Sequence, residues 1–326
     1  MGPAVDKGKA DPPACCGPTG GLGLSGADAQ HPAPASPAVR ADLAAALIPL
    51  PGGIFDMGTR RARYPADHDA PRRKVKLSPF RIAATACSNA EFARFTAATG
   101  HRTLAERAGW SSVFHLALPD ATRHPDHPPG LPWWRRVPGA SWSAPEGPGS
   151  TIAARLDHPV VHVAWFDARA YCTWAGLTLP TEAQWEYAAR GGLVHRKFPW
   201  GDALHPGGCH AMNIWQGHFP LHNSAEDGFA LTAPVTAFAP NGFGLYNTCG
   251  NVWEWAQDFH SAAPPTSQAL PPHDPTGPRT GHQRIQRGGS YLCHDSYCAR
   301  YHVHSRSRND PDSSTSHAGF RVALGP

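Results

Sequence analysis

The stretch on which the fold and the candidate site depend is RGGSYLCHDSYCAR, residues 287–300. Cys293 and Cys298 are separated by four residues, and an arginine stands at each end, where a cation favours thiolates. Zinc would need further ligands, such as His294 and His302, and thioredoxin-type redox pairs have a shorter spacing. Two soft thiolates also suit Cu(I). Residue chemistry alone therefore leaves a redox pair, a copper(I) dithiolate and zinc open.

The composition of the whole chain predicts a compact, loop-rich domain. The 326 residues include 35 prolines, 33 glycines and 11 tryptophans, so we expect a core filled by aromatic side chains more than by long helices. The net charge of +4 is spread without a Lys/Arg run, which argues against a nucleic-acid partner. We expect no membrane span, because no apolar stretch reaches the ~20 residues that one requires.

The N-terminal segment differs from the rest in composition. Residues 1–44 are rich in Pro, Ala and Gly, which predicts a disordered tail before a domain at 45–326. Asp6 and the missing apolar run argue against a secretory signal. We therefore expect a cytoplasmic protein, in which a structural disulfide is disfavoured. Cys15 and Cys16 are interpreted as an incidental exposed pair.

Local patterns predict the first elements of the domain. Strands are expected within residues 47–59 and 75–84, followed by a helix whose capping box is Ser88 with Glu91 and whose stop is Gly100. Residues 101–155 show no periodicity and predict a long ordered loop held by tryptophans.

Residues 158–192 are predicted to form one strand followed by two helices. HPVVHVAW (158–165) is a strand candidate, Asp167 is expected to cap a helix ending at Gly176, and Thr181 with Gln184 forms a second capping box before a helix with Gly191 as its C-cap. After residue 192 we expect turns and short strands.

The order of motifs resembles the formylglycine-generating enzymes, also called sulfatase-modifying factors. The resemblance runs from about residue 47 to about residue 323. Its motifs are LPGGIFDMG, HPVVHVAWFDARAYCTWAG, LPTEAQWEYAARGG, FPWGD, NIWQGHFP, EDGF, APNGFGLYNTCGNVWEW, RGGSYLCHDSYCARY, SRNDPDSS and GFR. Most of them mark the wider superfamily, whereas GGSYLCHDSYC, with both cysteines, is typical of the formylglycine generators.

The resemblance implies a fold and an activity. The expected fold is α+β with little regular secondary structure, a variant of the C-type-lectin fold. The implied activity is a copper-dependent oxidase that uses O₂ to convert the cysteine of a Cys-x-Pro-x-Arg motif in unfolded type I sulfatases to Cα-formylglycine. The resemblance also favours a monomer.

The resemblance implies a role for several residues of the decisive stretch. Cys293 and Cys298 would bind Cu(I) and carry the catalysis, or form a disulfide without copper. Ser290 and Trp253 would line the oxygen pocket, although a turn hydroxyl and a core aromatic are the simpler alternatives. His294, Tyr297 and Arg300 are expected to shape the substrate cleft.

Two structural Ca²⁺ ions are also implied by the resemblance. The alternative is that these Asn and Asp residues only cap turns. The first site would comprise Asn213, Ile214, Asp227 and Phe229, and the second Asn247, Gly250, Val252 and Glu254.

Two rival functions come from the same superfamily. A non-catalytic lectin-like binding module would keep the fold but would not need both Cys293 and Cys298. A non-haem iron oxidase of the ergothioneine type needs a separate helical bundle, for which the sequence has no room before residue 45. His302 and His304 depart from the family pattern of an arginine and a small residue, so peptide affinity could differ and copper could find an off-pathway ligand.

Overall fold

The computed structural model describes residues 17–18, 20–26, 30–261 and 270–325, in which short helices and strands are linked by long ordered loops. The helices are α1 Pro37–Ala45, α2 Asn89–Thr99, α3 Leu104–Ala108, α4 Trp165–Ala175 and α5 Glu182–Ala189. The strands are β1 Ile48–Leu50, β2 Gly53–Met57, β3 Arg73–Leu77, β4 Phe80–Ile82, β5 Trp110–Phe114, β6 Trp134–Pro138, β7 Gly217–His218, β8 His222–Asn223, β9 Trp253–Phe259, β10 Arg284–Arg287, β11 Arg306–Asn309, β12 Ala318–Phe320 and β13 Ala323–Leu324. This confirms the predicted α+β class with little regular structure.

The strands form small separate sheets. The largest has the order β11-β10-β9-β12, in which β12 runs parallel to β9 and the other neighbours are antiparallel. A second sheet has the order β1-β4-β13, and β2-β3, β5-β6 and β7-β8 are two-stranded. Since β10 ends at Arg287, the largest sheet delivers the chain directly into the cysteine-bearing loop.

Aromatic side chains fill the core, as the composition predicts. Trp134, Trp185, Trp215, Trp253 and Trp255 are all fully buried. Large rigid rings bury much apolar area for each ordered residue, which compensates for the short helices. The core is therefore held by side-chain packing between loops.

A buried ion-pair network joins α5 to the largest sheet. Arg287 donates to Glu182 at 2.8 Å and to Glu186 at 2.6 Å, and Arg306 forks onto Glu182 at 2.6 and 2.9 Å. Burial would raise the pKa of Glu186, but Arg190 and Arg287 outweigh it and lower that pKa to about 2. The network fixes the start of the cysteine loop, because Arg287 also donates to the Val303 carbonyl.

The predicted helix caps are mostly confirmed. Ser88 with Glu91 and Thr181 with Gln184 form the expected capping boxes. The prediction that Asp167 caps α4 is confirmed in part: the N-cap residue is Ala164, and Asp167, the third helical residue, accepts from its amide at 2.9 Å. Arg190 is the C-cap of α5, and Gly191 follows it with a φ of 58°.

Three regional predictions need correction. Residues 158–164 are not a strand, because Pro159 pairs with Ser88 only in an isolated bridge and the segment joins no sheet. The segment 101–155 contains α3 and the β5-β6 hairpin, whose cross-strand partners lie 20 to 28 residues apart and give no local periodicity. Residues 37–44 belong to α1 and are not disordered, because Ser36 caps this helix and α1 packs on α4.

Part of the tail prediction lies outside the described residues. Cys15 and Cys16 lie outside the described residues, as do the rest of 1–16, position 19 and positions 27–29. In the described part of the chain, no helix has the length and apolar character that crossing a membrane requires.

Candidate functional site

The cysteine-bearing loop begins with two glycines that turn the chain sharply after β10. Gly288 and Gly289 have φ values of 97° and 79°, which L side chains rarely adopt. A Cβ at Gly289 would lie 2.9 Å from the Cα of Tyr301. The glycine pair is therefore required both by backbone conformation and by the close approach of the returning chain.

The loop brings Cys293 and Cys298 together. Their Sγ atoms are 3.6 Å apart, and both residues are fully buried. The Cys298 amide donates to the His294 carbonyl at 2.7 Å, and the Ser290 amide lies 3.4 Å from Cys293 Sγ. Disulfide sulfurs are about 2.05 Å apart, so the two sulfurs are not bonded. Two sulfurs at about 2.3 Å from one metal ion can be at most about 4.6 Å apart, so this pair fits a single soft ion.

A buried arginine stands beside one thiol. Arg300 forks onto the carboxylate of Asp67 at 2.5 and 2.9 Å, and its Nη1 lies 3.9 Å from Cys298 Sγ. Its guanidinium also lies over the Tyr64 ring, at 4.2 Å from the centroid. Burial raises the pKa of Asp67 although Arg300 opposes that effect. Sequence reasoning missed Tyr64 and Asp67, because they are more than 230 positions from Cys298.

Ser290 and Trp253 lie in the surroundings of the two thiols. Ser290 is fully buried, and its hydroxyl accepts from the Leu292 amide at 3.3 Å, which is the turn contact of the simpler interpretation. Trp253 lies on β9 in the same apolar cluster as both cysteines. The structure thus brings four of the predicted catalytic residues into one region, while their chemical roles stay predictions.

Aromatic rings lie around the exposed side of the loop. Tyr297 stacks on Phe219 with a centroid distance of 4.7 Å, and its edge meets Trp133 at 5.3 Å. His294 is only half-buried, and its Nδ1 is 2.8 Å from the hydroxyl of Ser296. Tyr297 therefore belongs to an aromatic surface, whereas His294 faces a turn.

His317 is a site residue that sequence reasoning missed. It is buried, its Nδ1 is 2.8 Å from the Thr315 hydroxyl, and its ring meets Trp134 edge-on at 4.8 Å. Burial lowers its pKa to about 3, against a smaller opposing effect of Cys298. The imidazole is therefore neutral at pH 7, and its buried Nε2 has no hydrogen-bond partner among the described residues.

The first predicted calcium set is assembled around oxygen atoms. Asp227 accepts from the amides of Ile214 at 3.0 Å and Phe229 at 2.9 Å, and Asn213 Oδ1 is buried without a hydrogen-bond partner among the described residues. The Gln216 amide donates both to the Ile214 carbonyl and to Asp227. The Gln216 amide group lies between two of the predicted ligand oxygens, which shows that both oxygens point toward one place. A cation would suit that place, so this set fits Ca²⁺.

The second predicted calcium set is less open. Asn247 has a φ of 49°, and its Oδ1 is a second buried oxygen without a hydrogen-bond partner in the described ranges. Glu254, however, accepts from Arg321 on both oxygens at 2.8 Å and from Trp185 at 2.7 Å. An ionised carboxylate has about four lone-pair sites, so Glu254 can still take one more partner. Gly250 and Val252 lie between these two residues in the chain.

The zinc alternative finds no support. Among residues 17–18, 20–26, 30–261 and 270–325, no group of three or more His, Cys, Asp or Glu side chains could hold a metal ion. His302 stacks on His304 with parallel rings 5.4 Å apart, and His304 Nδ1 is 2.9 Å from Asp69. In the described residues, His302 and His304, which depart from the family pattern, thus contact each other and Asp69 and do not form a metal-binding group with the two cysteines.

Comparisons with known proteins find a matching family model, similar curated proteins and solved structures with the same fold. The family model described as "Sulfatase-modifying factor enzyme 1-like domain" matches residues 33–325. The formylglycine-generating enzyme of Thermomonospora curvata is 54% identical over 292 residues, covering 87% of this chain and 95% of that protein. A mouse protein named inactive Cα-formylglycine-generating enzyme 2 is 42% identical over 282 residues, covering 85% of each chain. The structure of PvdO from Pseudomonas aeruginosa has a TM-score of 0.61 at 23% identity, covers 86% and 94% of the two chains, and shows a shared fold alone.

These findings show the family. The chain is a member of the sulfatase-modifying factor family, to which formylglycine-generating enzymes belong. Because a relative named inactive is also similar to this chain, membership alone does not establish activity. The functional argument therefore depends on the site.

Proposed function

We propose that this protein is a formylglycine-generating oxidase that activates sulfatases. Its substrate would be the cysteine of a Cys-x-Pro-x-Arg motif in an unfolded type I sulfatase, and its co-substrate would be O₂. The observation that carries the proposal is the buried Cys293–Cys298 pair, with sulfurs 3.6 Å apart in the loop that resembles the formylglycine generators. A non-catalytic lectin-like module would have no use for two buried thiols at this distance.

The proposed reaction balances with water and an electron acceptor. The cysteine side chain and water give the aldehyde and hydrogen sulfide, releasing two electrons and two protons. O₂ accepts these electrons, and its full reduction to water takes two more, which two added thiol groups can supply by forming a disulfide. Cu(I), when bound by Cys293 and Cys298, would supply the one-electron chemistry that lets O₂ react.

The chain's own residues would prepare the site for this reaction. Arg300, fixed by Asp67, keeps positive charge beside Cys298 and so favours its thiolate. Trp253 and Ser290 would exclude bulk water around the thiols because both are buried. Tyr297, Trp133 and Phe219 would orient the substrate peptide on an aromatic surface.

Two Ca²⁺ ions would hold the loops that support the site. We propose that they bind at the two sets described above, with the first set binding more tightly because Arg321 already neutralises Glu254. The ligands would be Asn213, Ile214, Asp227 and Phe229 in the first set and Asn247, Gly250, Val252 and Glu254 in the second. We also propose a cytoplasmic monomer.

The test is aerobic turnover of a short Cys-x-Pro-x-Arg peptide, followed by mass spectrometry with and without added copper(I). We expect copper-dependent replacement of the thiol by the aldehyde. Cys293→Ser and Cys298→Ser should abolish it, whereas Cys172→Ser, at a buried thiol of the α4 helix, serves as the matched control. Folded protein that yields no aldehyde at any copper loading would refute the catalytic proposal.

A further inference from the structure

The N-terminal segment lies against the face of the site that contains His317. Gly17 and Pro18 are buried, and a Cβ on Gly17 would lie 3.3 Å from Cε1 and 3.6 Å from Nε2 of His317. The His317 ring packs on Trp134 of the β5-β6 hairpin, next to the Trp133 that meets Tyr297. A segment more than 270 positions away in sequence therefore covers this wall of the site.

Two carboxylates hold the segment in place. The Gly20 amide donates to Asp310 at 3.0 Å, and the amides of Gly23 and Leu24 donate to Asp312 at 2.9 and 3.1 Å. Hydrogen bonds to an ionised acceptor are stronger than neutral ones. Both carboxylates accept from neutral backbone amides of the tail. An arginine side chain of a bound peptide could take the place of these amides and would bring a full positive charge.

A cavity remains between this segment and the hairpin. It has a volume of about 350 Å³ and is lined in part by Pro18, Gly20, Trp110, Ser112 and Asp126. The tail thus forms one wall of a space whose opposite wall includes an aromatic ring and a carboxylate. The Arg136 guanidinium lies over the Trp110 ring, at 4.1 Å from its centroid, so the Asp126 carboxylate is the group in this wall that could attract a cation of a bound peptide.

The sequence of the segment matches most of the proposed substrate motif. Cys16, Gly17 and Pro18 reproduce Cys-x-Pro, although Cys16 itself lies outside the described residues. Gly20 stands where the motif has arginine, four positions after the cysteine. The Gly20 amide donates to Asp310, and the same carboxylate could instead form an ion pair with the arginine of a substrate.

We propose that the N-terminal segment, anchored by Gly17–Pro18 and Gly20–Leu24, is an intramolecular pseudosubstrate that competes with the sulfatase polypeptide for the face formed by His317, Asp310 and Asp312. This inference rests on the proposed function for the identity of the competing substrate. Asp310 is then a specificity residue that accepts the motif's arginine once the tail has left.

Gly21→Val in the full chain is the first test. A Cβ at Gly21 would overlap the carboxylate of Asp312, so the substitution should release the tail without altering the cysteine loop. If the tail covers the face in about nine of ten molecules, its release lowers the KM for a Cys-x-Pro-x-Arg peptide about tenfold with kcat unchanged. The matched control is Gly325→Val, where an added Cβ meets no atom within 4 Å.

Hydrogen exchange at residues 22–24 reports whether the tail has been released. Should Gly21→Val leave that exchange slow, Gly23→Pro is the second release variant, because proline removes the amide donated to Asp312 and cannot adopt the φ of 78°. An unchanged KM in a variant with a released tail would overturn the inference. Aldehyde formation at Cys16 of the wild-type chain would also overturn it, since the tail would then be a substrate.

A binding assay separates this inference from the proposed function. A fluorescent peptide with serine in place of the motif cysteine should bind Gly21→Val more tightly than wild type, whether or not any variant forms aldehyde. Tighter binding without aldehyde formation would refute the proposed function and support the pseudosubstrate. Aldehyde formation with equal affinity and equal KM would do the reverse. Asp310→Asn, made in the Gly21→Val background, should abolish the preference for an arginine peptide over a glutamine peptide.

Discussion

Replacement of Glu186 by glutamine should destabilise the protein strongly at neutral pH. Glu186 accepts from the Gly58 amide at 2.6 Å, from Arg190 at 2.6 and 3.1 Å, and from Arg287 at 2.6 Å. Glu186→Gln keeps the shape but removes the charge that compensates two buried guanidinium groups. The new side-chain NH₂ group would also face the Gly58 amide and the two arginines, which are themselves hydrogen-bond donors.

The magnitude follows from the pKa of Glu186. A folded-state pKa of about 2, against an ordinary value of 4.5, corresponds to about 3 kcal/mol of stability at pH 7. Removing one partner of a buried pair typically costs about 3–5 kcal/mol, which agrees. Because the folded-state pKa is depressed, this stabilisation is complete above pH 4.5 and is lost as pH falls toward 2. At pH 3.5 about 2 kcal/mol of it remains.

Urea unfolding followed by tryptophan fluorescence would measure the difference at both pH values. We expect the difference in unfolding free energy between wild type and Glu186→Gln to narrow by about 1 kcal/mol from pH 7 to pH 3.5. Glu226→Gln, at an exposed carboxylate, should change stability by less than about 0.5 kcal/mol. An equal gap at pH 7 and pH 3.5 would show that the loss comes from packing and not from charge.

Three further outcomes are expected. Cys298→Ser should remove copper-dependent aldehyde formation while destabilising the fold by at most about 3 kcal/mol, because the two side chains are similar in size and the added buried hydroxyl costs about 1–3 kcal/mol; loss of the folded state would contradict this. Asp227→Asn should abolish the rise in Tm that Ca²⁺ gives the wild type, and an unchanged rise in a calcium titration would exclude this residue as a ligand. Arg300→Lys should raise the KM or lower the kcat of peptide turnover, since a lysine cannot reproduce the fork onto Asp67; steady-state kinetics equal to wild type would contradict a role for Arg300.

Sequence alone determined the features that are local or carried by a motif. The capping boxes at Ser88 and Thr181 were predictable, because each needs two residues three positions apart. The cysteine loop was predictable for the same reason, since its thiols, its glycine pair and Arg300 all lie within fourteen residues. The fold class followed from the order of the motifs.

Only the tertiary structure decided which distant residues meet this loop. Asp67 and Tyr64 contact Arg300 across more than 230 positions, and the tail reaches Asp310 and Asp312 across about 290. Nothing in the neighbourhood of these residues marks them, because a carboxylate or a glycine in a loop has the same local pattern whether it faces solvent or a site. Residues 101–155 show the same limit: the β5-β6 hairpin is defined by pairing between strands far apart in sequence, and that pairing leaves no period in the chain itself.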